Sequence, residues 1–338
     1  MTATFEAKSD ADRRLLSTVH PPDWENPEPL DRYDLVVVGA GTGGLVSAAI
    51  GAALGARVAL VERALMGGDC LNYGCVPSKA VLRASRSWAE ARSSAVRFGG
   101  PAVAGSGSFA AAMERMRELR ADISAVDGAR RFRDMGVQMF LGEARFDSPN
   151  SILVGGNRLR FRRAILATGA RAAVPPIPGL SETPFLTNEN VFNLTEVPDR
   201  LLVLGAGPIG CELAQAFARF GSRVTILDMA DRPLPREEPE ASAVLLDALE
   251  GDGITFLGGA KILGVEEGTG GRKVTFEADS THRSVEGDAL LVALGRAPNV
   301  ELGLEAAGVS FDSRRGVEVN DRLRTTNRRI YAVGDVAS

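Results

Sequence analysis

Two distant stretches of the chain carry the same succession of apolar, small and polar positions. One, "YDLVVVGAGTGGLVSAAIGAALGARVALVER", starts at Tyr33, and the other, "RLLVLGAGPIGCELAQAFARFGSRVTILDMA", starts at Arg200. Each opens with a short continuous apolar run, the pattern of a buried strand, and passes through a glycine turn into a helix of small residues. Each closes with a second apolar run that ends in an acid, Glu62 in the first copy and Asp228 in the second. Further apolar runs, "RAILATGA" from Arg163 and "DALLVALGRAPN" from Asp288, predict a later strand for each copy. Strands alternating with helices predict an α/β chain with parallel sheets, in which one unit is written twice.

The glycines make this reading specific. Gly39, Gly41 and Gly44 form one G-x-G-x-x-G, and Gly205, Gly207 and Gly210 form another, each 23 residues from first glycine to acid. The first glycine allows a tight turn, the second a close approach of backbone to a pyrophosphate, and the third close packing of helix on strand. The helix N-terminus then faces the phosphate charge, and the acid stands where it can accept hydrogen bonds from a ribose diol. Two coincidental glycine turns would not reproduce strand, turn, helix, strand and acid twice. The expectation is two Rossmann-like domains, each holding a dinucleotide, with the second inserted into the first. The boundaries predicted are an arm over 1–30, a first domain over 31–178, an inserted domain over 179–298 and a return over 299–338. Within the arm, Ser9 to Val19 reads as a short helix ahead of a proline-rich stretch, placed for packing rather than chemistry.

Composition narrows the function classes. With 45% hydrophobic and 24% charged residues and a net charge of −4, the 338-residue chain is globular, with no general attraction for nucleic acid. The basic runs Arg130 to Arg133 and Arg158 to Arg163 read as a solvated helix end and a charged edge strand. The longest apolar region, Leu45 to Val61, is interrupted by glycine and carries Arg57, so no membrane span is expected. The N-terminus has no apolar signal core, which points to a cytoplasmic protein.

Cysteine is scarce, yet two of the three cysteines, Cys70 and Cys75, lie together in "GGDCLNYGCVPSK". Buried filler, a metal clip and a reactive pair are the alternatives. A zinc site would want four ligands, and Cys211 sits inside the second glycine helix, where core packing is expected, while the only histidines are His20 and His282. No metal site is therefore predicted. Pro77 suits a first helical turn, which puts Cys75 at or just before a helix N-terminus, a place that favours the reactive thiolate, with Lys79 one turn on.

"GGDCLNYGCVPSK", "LATGA", "GAGPIGCE", "ALGRAPN" and "YAVGD" together resemble the signatures of the flavoprotein pyridine nucleotide-disulfide oxidoreductases, the family of dihydrolipoamide dehydrogenase, glutathione reductase and mercuric reductase. The resemblance implies that Gly39, Gly41, Gly44 and Glu62 hold the adenosine half of FAD. It implies that Ala144, Thr168 and Gly169 line its adenine and pyrophosphate side, with Asp335 at the ribitol. Gly205, Gly207, Gly210, Asp228 and Gly295 would hold the nicotinamide cofactor, and the acid at Asp228 favours NADH over NADPH. Cys75 would be the thiol against the flavin, Cys70 the interchange thiol facing substrate, and Lys79 would pair with Glu212. Electrons would run from nicotinamide through flavin to the Cys70–Cys75 disulfide and on to a disulfide-type substrate, or to a metal ion in a mercuric reductase-like reading. Asp69 departs from the family's usual threonine. Relatives continue past the position of Ser338 into a dimerisation domain carrying a catalytic histidine, so the chain reads as a truncated member. The full-length form is expected to be a homodimer and this chain a monomer. A non-catalytic flavin- and nucleotide-binding fragment is the alternative from another class.

Overall fold

A computed structural model of the protein describes residue 5 and residues 7–338, which group into two compact units. One comprises Phe5–Val76, Arg117–Arg171 and Arg296–Ser338; the other contains Pro77–Met116 and Ala172–Gly295. The division therefore falls inside two helices, Cys75–Phe98 and Phe109–Ser124. The sequence expectation had kept 31–178 together. Val81, Phe109, Met113 and Met116 instead join a core cluster with Leu201, Phe217 and Leu291.

In the first unit the strand Tyr33–Val38 runs parallel to Val58–Glu62, with Leu35 opposite Val58 and Val38 opposite Val61. The helix Thr42–Ala53 connects them. Parallel pairing continues outward from Val58–Glu62 to Gln138–Leu141, and from Tyr33–Val38 to Asn157–Leu166 and then Ile330–Ala332. Two antiparallel strands, Ser151–Val154 and Ala144–Ser148, complete the seven-stranded sheet. Period-two alternation sends Val36 and Val38 to one core cluster and Val37 to another.

The run Arg158 to Arg163 lies in Asn157–Leu166, which pairs on both sides, so the charged strand is internal rather than an edge. Alternation explains this: Leu159 and Phe161 are buried while Arg158, Arg160 and Arg162 point to solvent. Arg130, Arg131 and Arg133 are exposed on the short helix Ala129–Asp134, whose Phe132 is buried.

The N-terminal helix is Asp10–Val19, capped by the Ser9 hydroxyl, which accepts the Asp12 N–H. Ala11, Leu15 and Val19 enter the first unit's core. Its Asp12 is buried too, and accepts from Arg120 at 2.8 Å with the Arg117 guanidinium 3.6 Å away. Arg120 in turn donates to the Asn72 carbonyl at 2.9 Å, inside the segment between the two cysteines.

The second unit repeats the arrangement. Parallel strands lie in the order Thr255–Leu257, Arg223–Leu227, Arg200–Leu204 and Ala289–Val292, with the helix Pro208–Arg219 following the glycine turn. A separate antiparallel sheet comprises Lys261–Gly268, Gly271–Ala278 and Thr281–Gly287. Among the described residues no helix is long and apolar enough to cross a membrane.

Candidate dinucleotide and dithiol sites

The two glycine turns fold alike. In each, the second glycine caps the following helix: Gly41 precedes Thr42–Ala53, and Gly207 precedes Pro208–Arg219. Gly39 and Gly205 take φ values of +100° and +104°, where a side chain is strained. A Cβ on Gly44 would come within 1.8 Å of the Gly39 carbonyl oxygen, and one on Gly210 within 2.0 Å of the Gly205 carbonyl oxygen. The chain itself therefore demands the first and third glycines. The second differs, since a Cβ on Gly207 would meet nothing within 4 Å and one on Gly41 only the Gly68 Cα at 3.7 Å. Neither conformation nor packing accounts for these two, and the bare helix N-termini they leave suit a phosphate-bearing group.

The closing acids are wired identically. Glu62 accepts from the Ala40 N–H at 2.7 Å and the Ala64 N–H at 2.8 Å. Asp228 accepts from the Ala206 N–H at 2.6 Å and the Ala230 N–H at 2.8 Å. Burial pushes the Glu62 carboxyl above its ordinary value, and the two backbone donors oppose that shift. Arg232, close to Asp228 in sequence, directs its guanidinium to the carbonyls of Glu237 and Pro235 at 2.9 and 3.1 Å.

Gly39, Glu62, Ala144 and Thr168 line one cleft of the first unit, together with Arg63, Glu143, Asn299 and Glu301. The latter four were not singled out from sequence, although Asn299 closes the "GRAPN" signature. Asn299 joins the rim of the cleft, its amide donating to the Thr168 carbonyl at 2.8 Å while its own carbonyl accepts from the Thr168 hydroxyl at 2.7 Å. Gly169 (φ +64°) turns the chain beside them. Asp335 is not in this cleft; it lies 3.5 Å from the Arg296 guanidinium. In the second unit Gly295 (φ +120°) has open space at its Cβ position.

Cys70 is on the short helix Gly68–Asn72, and Cys75 opens the helix Cys75–Phe98. Both carry thiols, Cys70 partly buried and Cys75 exposed, in hydrogen-bonding contact with each other. Burial, followed by that hydrogen bond, pushes the Cys70 thiol up to about 11. Such a pair can close to a disulfide or grip a soft ion through two sulfurs. Cys211 is buried, its thiol donating to the Ala206 carbonyl at 3.3 Å. In the second unit Lys79 Nζ donates to both Glu212 oxygens, at 2.6 and 2.7 Å. His20 Nδ1 contacts the Ala64 carbonyl and His282 faces Glu277 at 3.7 Å. Among the described residues no cluster of three or more histidine, cysteine or acidic side chains could hold a metal ion.

Residues 33–338 match the family model of the pyridine nucleotide-disulphide oxidoreductases. The chain is 37% identical to a mercuric reductase of Bacillus cereus over 305 residues, covering 90% of this chain and 48% of that protein. It is also 37% identical to a dihydrolipoyl dehydrogenase of Staphylococcus aureus over 313 residues, covering 90% and 65%. Among solved structures it resembles the HOCl-induced flavoprotein disulfide reductase RclA from Escherichia coli, with a TM-score of 0.78 and 32% identity over 90% of this chain and 66% of that one. The chain thus spans about half the length of the first of these relatives.

Proposed function

The chain belongs to the pyridine nucleotide-disulphide oxidoreductase family, which uses FAD with NAD(P)H, and on that premise we propose that it serves a reductase whose electrons leave through Cys70 and Cys75. The observation that carries this is the pair of thiols in mutual contact on the unit that also holds the first glycine turn. FAD is assigned to that unit, with Gly39, Gly41, Gly44 and Glu62 as its cradle, Ala144, Thr168 and Gly169 beside it and Asp335 toward the ribitol. The nicotinamide nucleotide is assigned to 179–298, at Gly205, Gly207, Gly210, Asp228 and Gly295. The fit rests on the open second glycines, the backbone-tethered acids Glu62 and Asp228 and the cleft that Glu62 shares with Thr168.

When bound, FAD supplies a two-electron carrier between nicotinamide and disulfide. The protein's own part is thiol chemistry. Reduction of the Cys70–Cys75 disulfide takes two electrons and two protons and yields the dithiol. Cys70 then attacks one sulfur of a disulfide substrate, releasing the first thiol, and Cys75 attacks Cys70 to release the second and restore the internal disulfide. With the Cys70 thiol held at about 11, its attack at neutral pH requires a base to take the proton. Lys79, ion-paired to Glu212, holds a fixed positive charge on the helix that Cys75 opens.

NADH is the proposed donor. Asp228 is fixed by two backbone N–H groups, and Arg232 is engaged with carbonyls, so a 2′-phosphate would meet a like charge. That contact is worth about 1–3 kcal/mol, a tenfold to hundredfold preference. Asp228→Ala should narrow it; equal affinity for NADPH in the unaltered chain refutes the assignment. A second reading, in which mercuric ion rather than a disulfide accepts the electrons, is favoured by the mercuric reductases among the relatives and by the soft dithiol. The deciding assay follows NADH oxidation by the FAD-loaded protein with glutathione disulfide, lipoamide or mercuric ion. Turnover on a disulfide lost in Cys70→Ser and in Cys75→Ser supports the first reading; turnover on mercuric ion alone supports the second, and neither points to a binding fragment.

A further inference from the structure

Asp69 immediately precedes Cys70 on the helix Gly68–Asn72. Its backbone carbonyl accepts the Tyr73 N–H at 2.8 Å. Its Oδ2 lies 3.0 Å from the point where a Cβ on Gly74, the neighbour of Cys75, would stand. An anion is therefore folded into the segment linking the two sulfurs. A cation faces it: Arg296 lies 3.3 Å from Asp69 and 3.5 Å from Asp335, and donates to the Ala170 carbonyl at 2.6 Å. These three contacts anchor a guanidinium that is only 23% exposed, so its position does not depend on Asp69 alone.

We propose that Asp69 and Arg296 form a charge pair that sets how readily Cys70 loses its proton and the cysteine pair changes redox state, Asp69 opposing the thiolate and Arg296 limiting that opposition. The inference rests on the reading of Cys70 and Cys75 as the redox pair. Both act as positioning residues for charge, and neither is assigned to touch substrate. Asp69 is among the groups that push the Cys70 thiol up, after burial and Cys75, so each arm of the pair should have a modest effect.

The test measures alkylation of Cys70 by iodoacetamide at pH 8 in a Cys75→Ser background, where the remaining cysteine, Cys211, is buried. Lowering the thiol pKa by one unit raises the thiolate fraction tenfold and cuts its nucleophilicity about threefold, a net gain of about threefold. Asp69→Asn should therefore speed alkylation about threefold, and Arg296→Gln should slow it by a similar factor. Asp69→Glu and Arg296→Lys, which keep the charges, should stay within about twofold of the parent. In the chain with both cysteines, the reduced pair should be reoxidised by glutathione disulfide at pH 8 (dithiol plus glutathione disulfide giving disulfide plus two glutathione thiols) faster in Asp69→Asn and more slowly in Arg296→Gln, because the attacking species is the thiolate. A merely structural role would loosen the segment in both variants and move both rates the same way. That result, or no shift in either, overturns the proposal. If instead Cys70 and Cys75 never pair under oxidising glutathione while the alkylation rates diverge as stated, the redox-pair reading fails and the electrostatic role of Asp69 and Arg296 on Cys70 stands.

Discussion

Asp12 gives the sharpest test of how the first unit is held together. Its side chain is 3% exposed, and Arg120 and Arg117, at 1% and 5%, converge on it. Asp12→Ala would leave two buried guanidinium groups without this counterion. Breaking a buried pair from one side costs about 3–5 kcal/mol, because the stranded charge keeps its desolvation penalty. That is a large share of the roughly 5–15 kcal/mol by which a domain is stable. Asp122→Ala is the matched control, since its partner Arg14 is exposed and such pairs contribute about 0–1 kcal/mol. Urea unfolding should be followed by Trp24 fluorescence in a Trp88→Phe background, so that the signal comes from the first unit alone. A loss in Asp12→Ala below about 1 kcal/mol, indistinguishable from Asp122→Ala, would refute the argument.

Gly207→Ala should change stability by no more than about 1 kcal/mol, yet weaken nicotinamide nucleotide binding at least tenfold by isothermal titration, because the new methyl enters open space beside a helix N-terminus. Gly210→Ala should instead destabilise the second unit by about 2 kcal/mol or more, as its Cβ would press on the Gly205 carbonyl oxygen. Titration of the reduced chain with a chromogenic disulfide at pH 8 should count two thiols first and Cys211 only after urea, since Cys211 is buried and out of the reagent's reach while Cys70 and Cys75 are not; three early thiols would contradict this. Burial raises the Glu62 carboxyl, so its contribution to stability is greatest below the unfolded value of about 4.3 and declines as pH rises through the folded one. Comparing urea midpoints at pH 4 and pH 7, Glu62→Gln should lose less stability on the way up than the parent, and an equal slope counts against it.

The repeated units were legible because backbone geometry dictates them. Gly39, Gly44, Gly205 and Gly210 are required by turns and close contacts, and Glu62 ends and Asp228 directly follows a largely apolar strand. The position of Cys75 followed from Pro77, which marks a helix start. Long-range partnerships were not legible. Nothing in the spacing of Asp12 and Arg120 announces that they meet, nor that Arg296 reaches Asp69, since such pairs depend on how distant segments pack. The strand carrying Arg158 to Arg163 was misjudged as an edge for a related reason: an alternating charged face reveals exposure of one side of a sheet and says nothing about neighbours within it.

The matching grip on Glu62 and Asp228 bears on the timing of ligand capture. Each carboxylate is already tethered by two amides, so its rotamer freedom was surrendered when the chain folded. An arriving ribose therefore need not immobilise its acceptor, a step that costs about 0.5–1.5 kcal/mol for a mobile side chain. Nucleotide capture at either turn should then proceed without a slow rearrangement phase, its observed rate rising in proportion to ligand concentration rather than levelling off.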